Sequence, residues 1–164
     1  MQSTATVSRH PLHTILVHFP IAFWVGAFIA DIIASLSDSS HAFAAYLALA
    51  GCIGAGIAAI PGAIDLFGTV IPKASERART VAFGHAGVNV AALGFWIVSV
   101  LLRPTFATMS DGAWIFSSLG FVFVSVGGYL GGRLVYEYRI GVPELTGLEP
   151  PRSEPSHTRP SDLG

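Results

Sequence analysis

Four long apolar runs occupy most of the chain and limit it to one class of fold. They cover residues 12–36, 42–64, 81–102 and 113–136. Each run is long enough to cross the hydrocarbon layer of a bilayer, which needs about 20 helical residues. Charged residues make up only 12% of the chain, about half the share found in soluble domains. The sequence therefore predicts an all-α membrane protein with four transmembrane helices in an up-and-down bundle.

The basic residues are divided unequally between the two sides of this predicted bundle. Arg103 is the only one on its side. The others fall together on the opposite side: Arg9, Lys73, Arg77, Arg79, Arg133, Arg139, Arg152 and Arg159. Because basic loops stay in the cytoplasm, the pattern predicts that both termini are cytoplasmic.

Composition divides the chain into three parts. Residues 1–9 are polar and are expected to form a flexible N-terminus, followed by a transmembrane domain over residues 10–140. Residues 141–164 are rich in proline and charge. Such a segment cannot bury enough apolar surface to offset its ordering entropy, so a disordered cytoplasmic tail is predicted. No internal repeat is evident on inspection.

Several function classes lack support in the sequence. The net charge of −1 gives no reason to expect nucleic acid binding. A single cysteine, Cys52, cannot supply a Cys-x-x-Cys redox pair. There is no H-E-x-x-H motif, no P-loop and no supported Ser-His-Asp pattern. An enzyme with its own catalytic residues is therefore the least supported class.

Polar residues within the spanning runs gather towards the predicted cytoplasmic side. They are His10, His13, His18, Asp65, His85, Asn89, Arg133 and Glu137. Ionisable residues inside a membrane are functional candidates by default because burying them is costly. The bilayer is thus expected to surround a polar cluster.

One pair in this cluster suits a cofactor. His18 and His85 lie at similar predicted depth, on first and third helices that run in the same direction. In an up-and-down bundle these helices lie diagonally opposite, so the two histidines are candidate axial ligands of haem b. Asn89 follows His85 by one helical turn and shares its face. Asp65 is a candidate to fix the tautomer of a ligating histidine.

A divalent metal site is the alternative use of the same region. Its candidate ligands are His10, His13, His18 and Asp65, although His13 and His18 do not share a helix face. Arg133 and Glu137, four residues apart, are expected to pair beside the site. Without a ligand, the buried histidines would bond to Asp65, Asn89 or backbone carbonyls and hold helices together.

Two further features concern packing and the opposite side of the bundle. The fourth helix contains two overlapping G-x-x-x-G pairs, Gly127 with Gly131 and Gly128 with Gly132. Such pairs allow close helix packing, either inside the bundle or in a homo-oligomer. On the other side, Asp31 is expected to reach water. His41, in a short turn, is expected to be solvated.

Several blocks in order resemble the DUF2231 family of bacterial membrane proteins over roughly residues 10 to 142. The blocks are His10-Pro11-Leu12-His13 with Leu16-Val17-His18-Phe19-Pro20-Ile21-Ala22, Pro61-Gly62-x-x-Asp65, His85, and Gly127-Gly128-Tyr129-Leu130-Gly131-Gly132-x-Leu134-Val135-Tyr136. Thr14 departs from the pattern, since members often have a second His-Pro proline there. The resemblance implies a multi-pass protein of the bacterial inner membrane. It also implies relatives joined to Rieske-type redox modules.

Three functions are consistent with these residues. The first is a non-enzymatic subunit or scaffold whose polar cluster is structural. The second is a haem b protein, with His18 and His85 as axial ligands, that exchanges electrons with a redox partner. The third is a metal-binding or transport protein.

Overall fold

The computed structural model of the protein describes residues 3–7 and 10–142. The predicted disordered tail lies outside the described residues from residue 143 onward. The elements in chain order are β1 (Thr6–Val7), β2 (His10–Pro11), α1 (Leu12–Leu16), α2 (His18–Leu36), α3 (Ala42–Asp65), a π-helical segment (Leu66–Val70), α4 (Ile71–Lys73), α5 (Glu76–Leu101) and α6 (Asp111–Tyr136). The two short strands pair antiparallel, and all the longer elements are helical.

Four spans of the described chain are long and apolar enough to cross a membrane. They are Leu12–Leu36, Ala42–Lys73, Glu76–Leu101 and Asp111–Tyr136. Large apolar side chains such as Ile57 and Val90 lie exposed on the outside of the bundle, where a bilayer supplies an apolar surrounding. The prediction of a four-helix membrane protein is confirmed.

The helix ends follow from local sequence. Ser75 and Ser110 cap α5 and α6, because each side-chain oxygen accepts a hydrogen bond from the backbone nitrogen three residues later. The second span is longer than predicted. Its helix continues through Pro61 to Asp65, and the π-helical segment and α4 extend the span to Lys73.

The bundle consists of two helical hairpins. The first is formed by α2 packing on α3, and the second by α5 packing on α6. The core at their junction contains two large side chains, Trp24 and Trp96, among buried alanines such as Ala48 and Ala92. Small residues at these positions allow the helix backbones to approach closely.

The two hairpins are equivalent at the residue level. The spacing from histidine to tryptophan to charged residue is the same in both, at positions 13, 24 and 31 and at positions 85, 96 and 103. Each member meets its counterpart: the two indoles stack with centroids 5.8 Å apart and planes 4° from parallel. Contacts between equivalent residues are what a two-fold axis produces. The chain therefore contains an internal repeat of two hairpins, which was not predicted from the sequence.

The three pairs of facing residues follow one another along the bundle and define its two ends. We call the end that holds His13, Asp65 and His85 the histidine end. The other end holds Asp31, His41 and Arg103, and we call it the ion-pair end. Trp24 and Trp96 lie between these two ends.

Candidate functional site

Two histidines meet across the junction of the hairpins at the histidine end. The rings of His13, on α1, and His85, on α5, have centroids 6.1 Å apart and planes at 89° to one another. Both side chains are partly buried. The pair therefore occupies equivalent positions in the two repeats.

Each ring is oriented by a backbone carbonyl of its own hairpin. The Nδ1 atom of His13 bonds to the Ala58 oxygen at 2.9 Å, and that of His85 bonds to the Gly127 oxygen at 3.0 Å. A carbonyl only accepts, so Nδ1 carries the hydrogen in both rings. The Nε2 atom of each neutral ring then presents a lone pair. Within the described part of the chain, neither Nε2 atom has a hydrogen-bond partner.

Glycines let the neighbouring helices approach the two rings. A Cβ atom at Gly62 would lie 2.7 Å from the Nδ1 of His13. At Gly131, the equivalent position, a Cβ atom would lie 3.1 Å from the Cε1 of His85. Real Cβ atoms are essentially never found at the first of these distances and rarely at the second. A side chain at either glycine would therefore displace the ring.

Asn89 lies beside His85, where the helical spacing places it. Its Nδ2 donates to the His85 carbonyl oxygen at 2.7 Å and lies 3.3 Å from the His85 Nδ1. Because that Nδ1 already carries a hydrogen for Gly127, the bond to the carbonyl is the effective one. Asn89 thus stabilises the helix turn that carries His85.

The structure does not bring His18 to His85. The His18 side chain is exposed, and its Nδ1 bonds to the Ile15 oxygen of the preceding turn at 3.2 Å. His13 takes the predicted place of His18, because the two residues are five apart and lie on different faces of the helix. The predicted pair of His18 and His85 is therefore corrected to His13 and His85.

The predicted set of four metal ligands is not assembled. His10 is exposed on β2, and His18 faces away from the pair. The Asp65 carboxylate instead accepts hydrogen bonds from the N-terminal segment, at 2.6 Å from the Ser3 hydroxyl. Among residues 3–7 and 10–142, no group of three His, Cys, Asp or Glu side chains is close enough to hold a metal ion.

The remaining predicted neighbours lie outside the pair. Arg133 and Glu137 form an exposed ion pair, with Nη2 and Oε2 2.7 Å apart. Gly127 and Gly131 pack inside the bundle against Asn89 and His85. Their neighbours Gly128 and Gly132 have open space at the Cβ position. Contact of that open pair with a second copy stays a prediction.

The ion-pair end contains a closed cluster. Asp31 is fully buried and accepts two hydrogen bonds from Arg103, at 3.1 and 2.5 Å, and one from His41 at 2.8 Å. The expectation that Asp31 reaches water and that His41 is solvated is wrong. Asp31 is buried because Arg103 occupies the equivalent position and meets it across the junction. His41 is partly buried, and its ring bonds to the Asp31 carboxylate.

The interior also holds polar atoms with no partner. Among the described residues, the buried Nε1 atoms of Trp24 and Trp96 and the Nε atom of Arg103 make no hydrogen bond. Each indole packs on a glycine, Gly51 or Gly120. These two glycines are again equivalent in the two hairpins.

Comparison with known proteins agrees with the resemblance seen in the sequence. The family model described as "Predicted membrane protein (DUF2231)" matches residues 9–144. This range contains all four spans and both histidines of the pair. Neither the curated proteins nor the solved structures contain a match to the chain.

Proposed function

The chain belongs to the DUF2231 family of predicted membrane proteins, and we propose that it binds one metal-centred group between its two hairpins, with His13 and His85 as the ligands. The group that these residues suit best is haem b. The protein is then a carrier of electrons to a redox partner at the membrane. The exposed apolar helices keep it in the bilayer, and its two repeats each contribute one ligand.

The tautomers of the two histidines carry this proposal. A metal-ligating histidine almost always donates its other ring N–H to a carboxylate, a carbonyl or water. Here the Ala58 and Gly127 carbonyl oxygens accept those hydrogens at 2.9 and 3.0 Å. Both Nε2 lone pairs are thereby available, and neutral imidazole is the commonest metal ligand.

The two rings are close enough to hold one bound group. Their centroids lie 6.1 Å apart across the junction of the hairpins, so a metal-centred group bound there would be held by His13 and His85 together.

The number of ligands favours haem over a bare divalent ion. A protein zinc site uses three or four side chains, and the described residues bring only two candidate ligands together. Haem carries four nitrogen ligands for its iron in its own ring, so His13 and His85 would be enough to hold it. Burial and nearby charge would then tune its potential.

A scaffold function is the second candidate, and one observation favours it. The two Nδ1 bonds join α1 to α3 and α5 to α6, so they hold each hairpin together even without a ligand. In that case, the histidines are structural and the protein serves as a non-enzymatic subunit.

An absorption spectrum of the protein purified in mild detergent, with and without dithionite, tests the proposal. We expect a haem spectrum in the wild type that is lost in both His13→Ala and His85→Ala. The double variant should be no worse than either single variant, because ligands of one centre act together. His18→Ala is the matched control and should keep the spectrum, since His18 is exposed.

Three results would decide against haem. If haem and stoichiometric metal are both absent, even after incubation with haemin, the scaffold function stands. A stoichiometric divalent metal without a haem spectrum would support the metal-binding function. Retention of haem in His13→Ala would overturn the assignment of this pair.

We also propose that the protein lies in the bacterial inner membrane with the histidine end facing the cytoplasm, because the basic residues gather there. Reporter fusions after residues 39, 70, 108 and 145 should read outside, inside, outside and inside. A periplasmic signal at residue 145 would reverse the orientation.

A further inference from the structure

The N-terminal segment is tied to the histidine end by one carboxylate. We call residues 3–7 the N-terminal strap. The Oδ1 atom of Asp65 accepts hydrogen bonds from the Ser3 hydroxyl at 2.6 Å, the Thr4 amide at 2.8 Å and the Ala5 amide at 2.9 Å. The sequence predicts a flexible segment over residues 1–9 and gives no reason to expect these contacts. A single acceptor thus fixes three successive residues.

A second contact brings the strap onto the π-helical segment. The hydroxyl oxygens of Thr4 and Thr69 lie 2.6 Å apart. At Gly68, a Cβ atom would lie 2.9 Å from the Thr4 hydroxyl oxygen, so a side chain there would push the strap away. Short π-helical segments inside helices occur frequently at functional sites. This one follows Asp65 directly and presents Thr69 to the strap.

The strap is hydrogen-bonded to the start of the helix that carries His13. The Leu12 amide donates to the Ala5 oxygen at 2.9 Å, and β1 of the strap pairs with β2. Leu12 is the residue before His13. Any displacement of the strap therefore acts on the start of α1.

The two histidines differ in how firmly their own helices hold them. His85 lies within α5, an uninterrupted helix of 26 residues. His13 lies in α1, in the first turn of its span, and α1 continues into α2 through Val17, whose backbone is helical. Amides in the first turn of a helix have no partners inside the helix, so that turn depends more on other contacts. For His13 these contacts are with Ala58 on one side and through the strap on the other.

We propose that Asp65 is a positioning residue: by holding the N-terminal strap, it sets the place of His13 and controls access of a ligand to the pair formed by His13 and His85. The access part of this inference rests on the proposed function. The positioning part does not, because it concerns the protein alone. Release of the strap frees α1 and opens the pair from the side of the first hairpin.

The first measurement needs no ligand. Diethylpyrocarbonate modifies neutral imidazole, and mass spectrometry follows the rate at His13 and His85 separately in the purified full-length protein. We expect Asp65→Ala to raise the rate at His13 clearly above that at His85. Asp65→Asn keeps an acceptor oxygen and should stay near the wild-type rate. Asp111→Ala removes an exposed aspartate at the ion-pair end and is the matched control.

The second measurement uses haemin as the probe. In Asp65→Ala haemin should be taken up faster, because the pair is open. Its affinity should fall about tenfold, the lower end of the range for residues that support a metal ligand, because Asp65 acts on His13 only through the strap. Deleting residues 2–5 should give the same result with Asp65 intact. This deletion also keeps the test available should Asp65→Ala fail to fold.

The outcomes separate the two proposals. An unchanged modification rate at His13 in both Asp65→Ala and the deletion would overturn the positioning of His13 by the strap. A raised rate of modification at His13 with an unchanged rate of haemin uptake would overturn the control of access. If the wild type takes up no haemin while the rate at His13 still rises, the proposed function fails and the positioning role of Asp65 is supported.

Discussion

The two hairpins use the same residues at two levels and opposite charges at the third. His13 meets His85, and Trp24 meets Trp96, but Asp31 meets Arg103. The first two contacts join identical residues, and the last joins an anion to a cation. The halves are therefore repeats with one asymmetric level.

This difference explains why the two ends use their polar groups differently. At the ion-pair end the Asp31 carboxylate accepts hydrogen bonds from Arg103 and His41, and the Nε atom of Arg103 is left without a partner among the described residues. Two identical neutral groups do not pair in this way. In the two histidines both N–H groups are used within the hairpins, and two lone pairs cannot bond to each other. The two indoles likewise leave their N–H groups without an acceptor. Hydrogen-bonding groups are therefore left over where identical residues meet, and the binding of a group at the histidine end stays a proposal.

The largest expected effect on stability comes from removing one partner of the ion pair between Asp31 and Arg103. Asp31→Ala leaves the Arg103 guanidinium buried without its partner, and breaking such a pair costs about 3–5 kcal/mol. Unfolding in detergent, followed by circular dichroism, should show a loss of this size. Removing both charges in Asp31→Leu with Arg103→Met should recover most of it, since apolar replacement of a buried pair is often neutral.

A different result would change the interpretation of that end. If Asp31→Ala and the double variant are equally unstable, the cost does not arise from an unpaired charge. The hydrogen bond from His41 to Asp31 would then be the more important contact. His41→Ala, which keeps the ion pair, would separate the two explanations.

An intermediate effect on stability is expected where Trp24 and Trp96 stack. Gly51→Ala and Gly120→Ala each place a Cβ atom against an indole ring, at 2.7 Å from Trp96 in the second case. Overpacking of this kind costs about 1–3 kcal/mol. If the hairpins are true repeats, both variants should lower the free energy of unfolding by similar amounts.

Matched controls lie on the same two helices. Gly56→Ala on α3 and Gly128→Ala on α6 place the new methyl group in open space. Alanine is favoured over glycine inside a helix by roughly 0.5–1 kcal/mol, so neither variant should be destabilised. Loss of stability at Gly128 alone would indicate that a second copy covers that face.

The sequence predicts well what depends on local pattern. Apolar length identifies all four spans, and helical spacing places Asn89 against His85 and Arg133 against Glu137. These features require only the period of one helix. The spacing of Gly127 and Gly131 also indicates close helix packing, but it does not decide between packing inside the bundle and contact with a second copy.

The features that were not predicted from the sequence depend on how the helices are oriented about their axes relative to one another. Length and periodicity do not decide whether His13 or His18 faces the third helix, because the two residues lie on different faces of the first helix. The position of Asp31 depends on Arg103, far away in the chain. One signal was nevertheless present: the spacing of histidine, tryptophan and charged residue recurs in the first and third helices. It could have paired His13 with His85 and Asp31 with Arg103.

The smallest expected effect concerns an ion pair that only the second hairpin has. Arg133 and Glu137 occupy positions equivalent to Ile64 and Gly68, where the first hairpin receives the N-terminal strap. The pair is exposed, and such pairs contribute little because water and salt screen them. Glu137→Gln should therefore lower the thermal midpoint only slightly near neutral pH.

The pH dependence of the small difference in thermal midpoint between wild type and Glu137→Gln gives a sharper test. The hydrogen bond from Arg133 lowers the pKa of Glu137 below its ordinary value of 4.5. A carboxylate with a lowered pKa stabilises the folded state above its unfolded pKa, and this contribution is lost as the pH falls through the folded value. Wild type and Glu137→Gln should thus differ at about pH 7 and converge as the pH falls through the lowered pKa of Glu137. Arg133→Gln should reproduce the loss, and the double variant should add nothing. A difference that persists in acid would mean that Glu137 acts through a contact other than Arg133, and the two hairpins would then differ at the histidine end by more than a surface ion pair.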